Sequence, residues 1–387
     1  MKRKREDFMR IQSTRVWIGE RFAPAQLEIS GGQIWSVDPY DQKNSHKDYG
    51  NCMILPGFID IHCHGGYGYD SNDAKADGLR RWAAALPAEG VTSFMPTVMT
   101  DEPGRMSKAL KSIAEMRRRI DKGAAVLGIH LEGPFLNPEY AGAQPEEFIT
   151  APDIPQFRVW QRAADNLIRI ITLAPENDLD YNFTRFCAHN NVLVSIGHSG
   201  ATYRKVVNAH SNGAVCITHT FNAQSGLHHR ENGVAGAALL LNDMYAEIIP
   251  DGHHVAPEVL QLFFHCKGRD YAITVSDSLR AKGSRIGEHF LFAGKPCIIE
   301  TDGSARVANT GKLAGSTLKI NEGLRYLIRE CGIEPAAAIN ACTINPARLL
   351  NIDETYGLIR TGYNADLTIL DDDYQVVQTY CRGTAQL

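Results

Sequence analysis

Six residues of the types that bind metals or transfer protons stand at or just after the ends of short apolar segments. They are four histidines and two carboxylates: His62, His64, His198, His219, Glu132 and Asp277. Imidazole and carboxylate together suit Zn²⁺, Fe²⁺ and similar divalent ions, whereas thiolate-rich structural sites look different. A metal lowers the pKa of a bound water, and a nearby carboxylate can take its proton and give it to a leaving group. This set of residues therefore favours hydrolysis of an amide.

His62 and His64 stand on either side of Cys63 in the segment FIDIHCHGG. Because side chains alternate between the two faces of a strand, the histidines share one face and Cys63 points to the other. We expect Cys63 to be a small buried apolar residue. One histidine at a strand end is more often a hydrogen-bonded core or surface residue than a ligand. Six ligand-type residues at five strand ends indicate a shared site.

Asp277, in the segment ITVSDS, is a candidate metal ligand, a candidate general base, or both. The competing structural interpretation is an N-cap for the loop that follows. We favour the catalytic roles over the cap.

Apolar and helix-like segments alternate between Met53 and Ser278. Eight apolar segments end in polar residues: MILPGFIDIHCH, VTSFMPTV, VLGIHLEGPF, LIRIITLAPE, VLVSIGHS, AVCITHTFN, YAEIIPDGHH and YAITVSDS. Strands that alternate with helices form a parallel sheet, so we predict an α/β fold with a (β/α)₈ TIM-like barrel. The carboxyl ends of barrel strands surround one mouth, where the six candidate residues are expected to meet.

Both ends of the chain contain short strand-like segments without helical periodicity. We predict that residues 1–54 and 351–387 form a small β-sandwich domain, and that residues 55–350 form a metal-dependent hydrolase barrel. A hairpin-like insertion between Ser278 and the helix KINEGLRYLIREC is expected close to the active site.

The composition argues against several classes of protein. The chain has 387 residues and a net charge of −4, with no basic excess to bind nucleic acid or an anionic membrane. Its longest apolar segment, GVAGAALLL, is much shorter than the ~20 residues that span a bilayer. No apolar segment follows the basic MKRKREDF, which we expect to be a frayed end rather than a secretory signal. Nine scattered cysteines without a CxxC pair indicate reduced thiols in a cytoplasmic protein.

An ordered set of motifs runs from about residue 50 to residue 371. The motifs are PGFIDIHCHGG, HLEGPFLNPEYAGAQP, SIGHS, THTFNA, HHRENGVAGAAL, DGHHV, VSDS, KLAGSTL, TINPARLL and GYNADLTILD. This set resembles the N-acetylglucosamine-6-phosphate deacetylase family of the amidohydrolase superfamily. HLEGPF and its spacing to SIGHS and THTFNA are specific, whereas ADLTILD is shared by many amidohydrolases. The resemblance implies metal-dependent conversion of N-acetylglucosamine 6-phosphate to glucosamine 6-phosphate and acetate.

The resemblance also implies roles for individual residues. Glu132, His198 and His219 would hold the main metal, and Asp277 would be the catalytic acid and base. The two histidines of FIDIHCHGG match positions that hold a second metal in some members of the family. We therefore expect one or two ions of Zn²⁺ or Fe²⁺ per subunit, with Glu132 as the bridge between two.

Substrate contacts are implied at a further group of positions: Ala143, Gln144, Asn222, Ala223, Arg230, Asp251, His254, Leu313, Ala314 and Gly315. Arg230 matches a phosphate-binding arginine, whose planar fork suits phosphate. In relatives the phosphate site is completed across a dimer, so a homodimer is expected. His254 would contact the sugar or the acetyl group. A solvated loop is an equally good interpretation of His228 and His229.

Some positions depart from the commonest pattern of the family. Gln144 stands where many members have a histidine, and Gln224, Pro250 and the VSDS segment also differ. These changes leave N-acetylgalactosamine 6-phosphate, or another acylated amine, as an alternative substrate. A non-catalytic barrel that binds sugar phosphates is an alternative of a different class, although Asp277 argues against it. A cyclic-amide hydrolase is less favoured because those enzymes usually have lysine where Glu132 stands.

Overall fold

The computed structural model describes residues 8–41, 43–75 and 77–387. Its strands are, in chain order, β1 (Met9–Ile18), β2 (Arg21–Ser30), β3 (Gln33–Pro39), β4 (Lys47–Asp48), β5 (Met53–Pro56), β6 (Phe58–Cys63), β7 (Gly65–Gly66), β8 (Tyr69–Asp70), β9 (Val91–Met99), β10 (Ala125–Val126), β11 (Ile129–Glu132), β12 (Ile168–Leu173), β13 (Leu193–Ile196), β14 (Ala214–Ile217), β15 (Tyr245–Ile248), β16 (Ala272–Thr274), β17 (His289–Phe292), β18 (Lys295–Ile299), β19 (Ala305–Val307), β20 (Leu367–Leu370), β21 (Val376–Cys381) and β22 (Thr384–Ala385).

The α-helices are α1 (Gly78–Ala85), α2 (Pro103–Arg117), α3 (Ile154–Ala163), α4 (Asn182–His189), α5 (Tyr203–Ser211), α6 (Gly233–Leu240), α7 (Pro257–Lys267), α8 (Ile320–Arg329), α9 (Pro335–Cys342) and α10 (Ile344–Leu349). None of these helices is long and apolar enough to cross a membrane. The basic N-terminal segment, apart from Phe8, lies outside the described residues, so the expected frayed end stays a prediction.

Eight parallel strands form the barrel, paired in the order β6, β9, β11, β12, β13, β14, β15 and β16. Hydrogen bonds connect the carboxyl ends of the first and last strands: the Asp277 N–H donates to the His62 carbonyl over 2.9 Å, and the His64 N–H donates to the Ser278 carbonyl over 2.8 Å. One or more helices follow each strand. The predicted (β/α)₈ barrel is confirmed.

Burial on both faces explains why the barrel strands read as apolar segments. All nine residues of β9 are buried, as expected of a parallel strand between a barrel interior and covering helices. A large core that includes Trp82, Phe94 and Trp160 lies between strands and helices. Another cluster, with Met95 and Ile170, lies inside the barrel on the amino-terminal side of the candidate residues. The candidate residues therefore stand on a rigid, packed base.

Both chain ends contribute to one mixed sheet, in the order β22, β21, β20, β5, β1, β2 and β3, with β4 also paired to β1. β5 connects the two ends, because it pairs with β1 and with β20. This confirms the predicted small β domain built from both termini, with its strands joined in a single sheet. The domain boundaries after residues 54 and 350 stay predictions, and the first falls within β5.

The insertion after β16 contains β17, β18 and β19, which form a three-stranded antiparallel sheet. It therefore has one strand more than the hairpin that the sequence predicts. Phe292, at the end of β17, reaches the cavity at the barrel mouth. The insertion is thus part of the wall of the candidate site.

Candidate active site

Glu132, the last residue of β11, lies between four imidazole rings at the barrel mouth. Its Oε1 is 3.0 Å from Nε2 of His198 and 3.0 Å from Nε2 of His219. The same oxygen is 3.5 Å from Nε2 of His62, and Oε2 is 3.2 Å from Nε2 of His64. All five side chains are buried. Glu132 thus contacts all four imidazoles, three through Oε1 and that of His64 through Oε2.

The donor atoms have the spacing that a divalent ion requires. Two ligands of one tetrahedral ion lie roughly 3.2–3.6 Å apart, and Nε2 of His198 and Nε2 of His219 are 3.2 Å apart. The ligand atoms of Glu132, His198 and His219 all lie within 4.8 Å of one another, and so do those of Glu132, His62 and His64. Nε2 of His62 is buried without a hydrogen-bond partner among the described residues, which a ligand nitrogen explains. Each cluster fits one divalent ion.

Two of the four histidines have the nitrogen opposite Glu132 held by an acceptor. Nδ1 of His198 donates to the Tyr140 carbonyl over 2.9 Å. Nδ1 of His62 donates to Oε2 of Glu247 over 2.9 Å. Because a proton on Nδ1 leaves a lone pair on Nε2, these contacts present Nε2 to a metal.

Gln144 holds the second oxygen of Glu132. Its Nε2 donates to Glu132 Oε2 over 2.6 Å, and its Oε1 accepts the Thr100 N–H over 2.9 Å. The backbone N–H therefore fixes which end of the amide faces the carboxylate. Gln144 is thus buried and orients Glu132.

Asp277 follows β16 by three residues and closes the site opposite Glu132. Its Oδ1 is 3.2 Å from Nε2 of His64 and 3.6 Å from Nε2 of His62. Burial favours the neutral acid, but the hydrogen bond from His64 and the charges of the surrounding imidazoles outweigh it and lower the pKa of Asp277. Among the described residues no backbone N–H donates to this carboxylate, so the N-cap interpretation lacks support.

The backbone bends sharply where three candidate residues enter the mouth. His198, His219 and Asp277 have φ angles of 48°, 27° and 47°, in or near the left-handed region that residues other than glycine seldom adopt. Hydrogen bonds hold these bends: the His198 carbonyl accepts the Asn137 N–H over 2.9 Å, and the Asp277 carbonyl accepts the Ser316 N–H over 2.8 Å. Strained backbone of this kind concentrates at functional sites.

The negative charge around His62 favours a cation at this position. Burial opposes protonation of this imidazole, but the charges of Glu247, Glu132 and Asp277 outweigh the effect and raise the pKa of His62 to about 9. A divalent ion would satisfy the same carboxylates.

A cavity of about 380 Å³ opens above the cluster, within the size range of small-molecule sites. Many residues with predicted roles line it: His64, Glu132, Ala143, Gln144, His198, His219, Asn222, Ala223, His254, Asp277, Leu313 and Gly315. His62 is fully buried and does not line the cavity. Ala314 is also buried and packs in a cluster under the insertion.

His254 is held at the cavity wall by Asp251. The Asp251 carboxylate is 2.7 Å from Nδ1 of His254 and accepts the His253 and His254 N–H groups over 2.8 Å. Burial opposes protonation of His254, but its hydrogen bond to Asp251 outweighs this and raises the pKa of the imidazole. Asp251 is therefore placed to orient His254 from behind the cavity wall.

Arg230 lies in an exposed segment with His228 and His229 and does not line the cavity of its own chain. Lys312, for which the sequence predicted no role, is among the lining residues. A lysine in a polar loop carries no local signal that separates a site residue from a solvated one.

Two more buried residues were missed. His130 donates or accepts hydrogen bonds with the Ile61 carbonyl (3.2 Å) and with Thr172 Oγ1 (2.8 Å), inside the barrel. Alternation could have found it, because His130 and Glu132 share a face of β11. Glu247 could have been found as the carboxylate in the otherwise uncharged segment YAEI.

The chain is similar to known proteins in sequence and in fold. A model of the Amidohydrolase family matches residues 53–385. The chain is 40% identical over 364 residues to N-acetylglucosamine-6-phosphate deacetylase of Bacillus subtilis (strain 168), covering 92% of this chain and 91% of the relative. It is 33% identical to N-acetylgalactosamine-6-phosphate deacetylase of Escherichia coli O157:H7, covering 92% and 93%. A mutant N-acetyl-D-glucosamine-6-phosphate deacetylase from Mycobacterium smegmatis, solved in complex with N-acetyl-D-glucosamine-6-phosphate, matches with a TM-score of 0.93 and 28% identity over 98% of this chain and 100% of that one.

Proposed function

This chain belongs to the amidohydrolase family, and on that premise we propose that it hydrolyses the N-acetyl group of N-acetylglucosamine 6-phosphate to glucosamine 6-phosphate and acetate. The observation that carries the proposal is the position of Glu132, between two pairs of histidines at the floor of a sugar-sized cavity that Asp277 also lines. The names of the relatives support the substrate class, an acetylated amino-sugar phosphate.

The residues present fit two divalent ions. Glu132, His198 and His219 would hold one, and Glu132, His62 and His64 would hold the other, with Asp277 within reach of the second. Zn²⁺ and Fe²⁺ both suit imidazole and carboxylate ligands. A divalent ion in this position supplies a Lewis acid for the acetyl carbonyl and lowers the pKa of water.

Asp277 would transfer the proton in both halves of the reaction. Its carboxylate takes a proton from the attacking water and gives it to the amide nitrogen as the C–N bond breaks, so that the amine leaves neutral. Its strained backbone is fixed by hydrogen bonds on both sides, which would keep the carboxylate directed at the reacting group. The hydrogen bond from Gln144 holds the Glu132 carboxylate in its orientation.

The remaining lining residues would bind the sugar. His254, Asn222 and the backbone of Ala223 supply hydrogen-bonding groups around the cavity. Arg230 is exposed and does not line the cavity of its own chain, which supports a role in binding the phosphate at the site of a partner subunit. The homodimer and the cytoplasmic location stay predictions.

N-acetylgalactosamine 6-phosphate is the second candidate, because a relative with 33% identity carries that specificity in its name. The two sugars differ in one hydroxyl configuration, which a polar pocket distinguishes through its hydrogen bonds.

The test is a comparison of kcat/KM for both sugar phosphates, and for unphosphorylated N-acetylglucosamine, with metal-loaded protein. The proposal predicts the highest value for N-acetylglucosamine 6-phosphate. A higher value for the galactosamine compound would support the second candidate. Binding of sugar phosphates without release of acetate from any of them would instead identify a non-catalytic binding protein.

A further inference from the structure

Glu247 is a carboxylate without any exposed surface, in the middle of β15. Its Oε2 is 2.9 Å from Nδ1 of His62 and accepts the backbone N–H of His219 over 3.2 Å. One side chain thus contacts a residue from each of the two histidine pairs. Its other oxygen, Oε1, is buried without a hydrogen-bond partner among the described residues.

Stability does not explain this residue. Burial of a carboxylate costs free energy unless all its lone pairs are satisfied, and one oxygen of Glu247 has no partner in the part of the chain that the structure describes. Glu247 also lies near His62 and His130 in a group of ligand-type atoms. Both ring nitrogens of His130 already contact the Ile61 carbonyl and Thr172, however, so this trio lacks the free donor set of a metal site.

The contact with His62 determines which nitrogen of that imidazole faces the site. An ionised carboxylate only accepts hydrogen bonds, so the proton of a neutral His62 lies on Nδ1 and the lone pair lies on Nε2. Nε2 points toward Glu132 and Asp277, at 3.5 Å and 3.6 Å. His64 lacks an equivalent acceptor, since its Nδ1 has no partner among the described residues. Of the first-strand pair, Glu247 therefore orients His62 only.

We infer that Glu247 is a positioning residue that presents Nε2 of His62 to the second metal ion and thereby sets the occupancy of that position. The same carboxylate accepts the backbone N–H of His219, a proposed ligand of the main metal, at the bend where that histidine enters the site. The inference rests on the proposed metal-dependent function and assigns the second position a specific supporting side chain. A carboxylate behind a metal-binding histidine fixes the ring and raises its basicity.

The test measures metal binding in the absence of substrate. Apoprotein of the wild type, Glu247→Gln and Glu247→Leu is titrated with Co²⁺, followed by its visible absorption and by metal analysis. The wild type should bind two ions. Glu247→Gln, whose amide oxygen still accepts from Nδ1, should bind the second ion about 10- to 100-fold more weakly, and Glu247→Leu should bind one ion.

Two controls separate positioning from a general loss of structure. In a His62→Ala background there is no imidazole to orient, so adding Glu247→Gln should change neither the number of ions nor their affinity. Glu176 is a half-buried carboxylate near the site that, among the described residues, accepts from Asn137, Ser199 and Gly200 and from none of the four imidazoles. Glu176→Gln should keep both ions, and thermal unfolding checks that each variant is folded.

Three results would overturn the inference: a single ion in the wild type, unchanged affinity of the second ion in Glu247→Leu, or an equal loss of both ions in Glu247→Gln. Failure of the proposed function gives a different signature. Two ions in the wild type and one in Glu247→Leu, with no acetate released by either, would reject the deacetylase and leave the role of Glu247 standing.

Discussion

For single residues, a local sequence pattern predicts the strand face of a side chain but not its distant partners. The segment His62 to His64 shows both cases. Alternation along a strand places each side chain on a face, and the two histidines do contact Glu132 while Cys63 packs between barrel and helices. Glu247 supports His62 from 185 positions further along the chain, which no local pattern encodes. Strand alternation therefore indicates which ligand-type residues share a face, but not which distant residues orient them.

Asp277→Asn should abolish turnover while both histidine clusters still bind metal. The amide is close in shape to the carboxylate but cannot take a proton from water, and general acid–base catalysis contributes typically about 10²- to 10⁴-fold. The measurement is kcat for acetate release, together with the metal content of the same sample. Turnover near that of the wild type would contradict the role assigned to this carboxylate.

At the scale of elements, the eight barrel strands were predictable because each is a short apolar segment bounded by polar residues. The bends after β13, β14 and β16 were not predictable, because His198, His219 and Asp277 adopt positive φ angles that their residue types disfavour. Tertiary hydrogen bonds impose these bends, such as the one between the Ser316 N–H and the Asp277 carbonyl. The third strand of the insertion was also missed.

Gly315→Ala should lower kcat at least tenfold. Gly315 has a φ of 48°, and a Cβ here would lie 2.7 Å from Cδ2 of Leu279 and 2.8 Å from the Asp277 carbonyl oxygen. Relief of this clash displaces Asp277, and small displacements of a catalytic group can cost about 10²-fold. The measurement is kcat with saturating substrate.

Gly311 supplies the matched control for this substitution. It has a φ of 68°, but a Cβ there would meet no atom within 4 Å. Gly311→Ala introduces the same backbone strain without the clash, so its kcat should match the wild type. Equal losses of kcat in both variants would contradict the argument from Asp277.

Asp366, directly before β20, should make the stability of the terminal sheet depend on pH. Burial raises the pKa of this carboxyl to about 6, although it accepts the Arg382 N–H over 2.7 Å. A folded-state pKa above the unfolded value of about 3.9 means that the folded protein binds the proton more tightly. The contribution to stability is therefore fully present below about pH 4 and is lost as the pH rises through 6.

Asp366→Asn removes the titration and keeps the acceptor for Arg382. The difference in the free energy of unfolding, variant minus wild type, should increase by roughly 1–3 kcal/mol when the pH is raised from 4 to 7. Denaturant unfolding at both pH values measures this difference. A difference that does not change with pH would show that the carboxyl has an ordinary pKa.

In the whole molecule, two features depend on more than local sequence. They are the pairing of the two chain ends and the role of the exposed segment around Arg230. The β-rich character of both ends predicted a shared domain, and β5 joins them in one sheet. A role for Arg230 depends on where a second copy of the chain would lie, which one chain's sequence pattern does not specify. We propose that Arg230 serves the cavity of a partner subunit.

Mixed dimers test this proposal. Arg230→Ala should impair phosphate binding and Asp277→Asn should remove the proton-transfer group, so each variant alone should be nearly inactive at low substrate concentration. After the two are unfolded together and refolded, half of the dimers combine both chains, and each of these has one intact site. About a quarter of the wild-type activity should return. No recovery, in dimers shown to be mixed by differently tagged chains, would place the action of Arg230 within its own subunit.

Metal-dependent deacetylation is tested most directly by the chemical balance of the reaction. Protein freed of metal with a chelator and then reloaded with Zn²⁺ or Fe²⁺ is incubated with N-acetylglucosamine 6-phosphate, and acetate and primary amine are quantified. We expect equal amounts of both products, formed only by the reloaded protein. Products formed at the same rate by the metal-free protein, or no acetate from the reloaded protein, would contradict metal-dependent deacetylation.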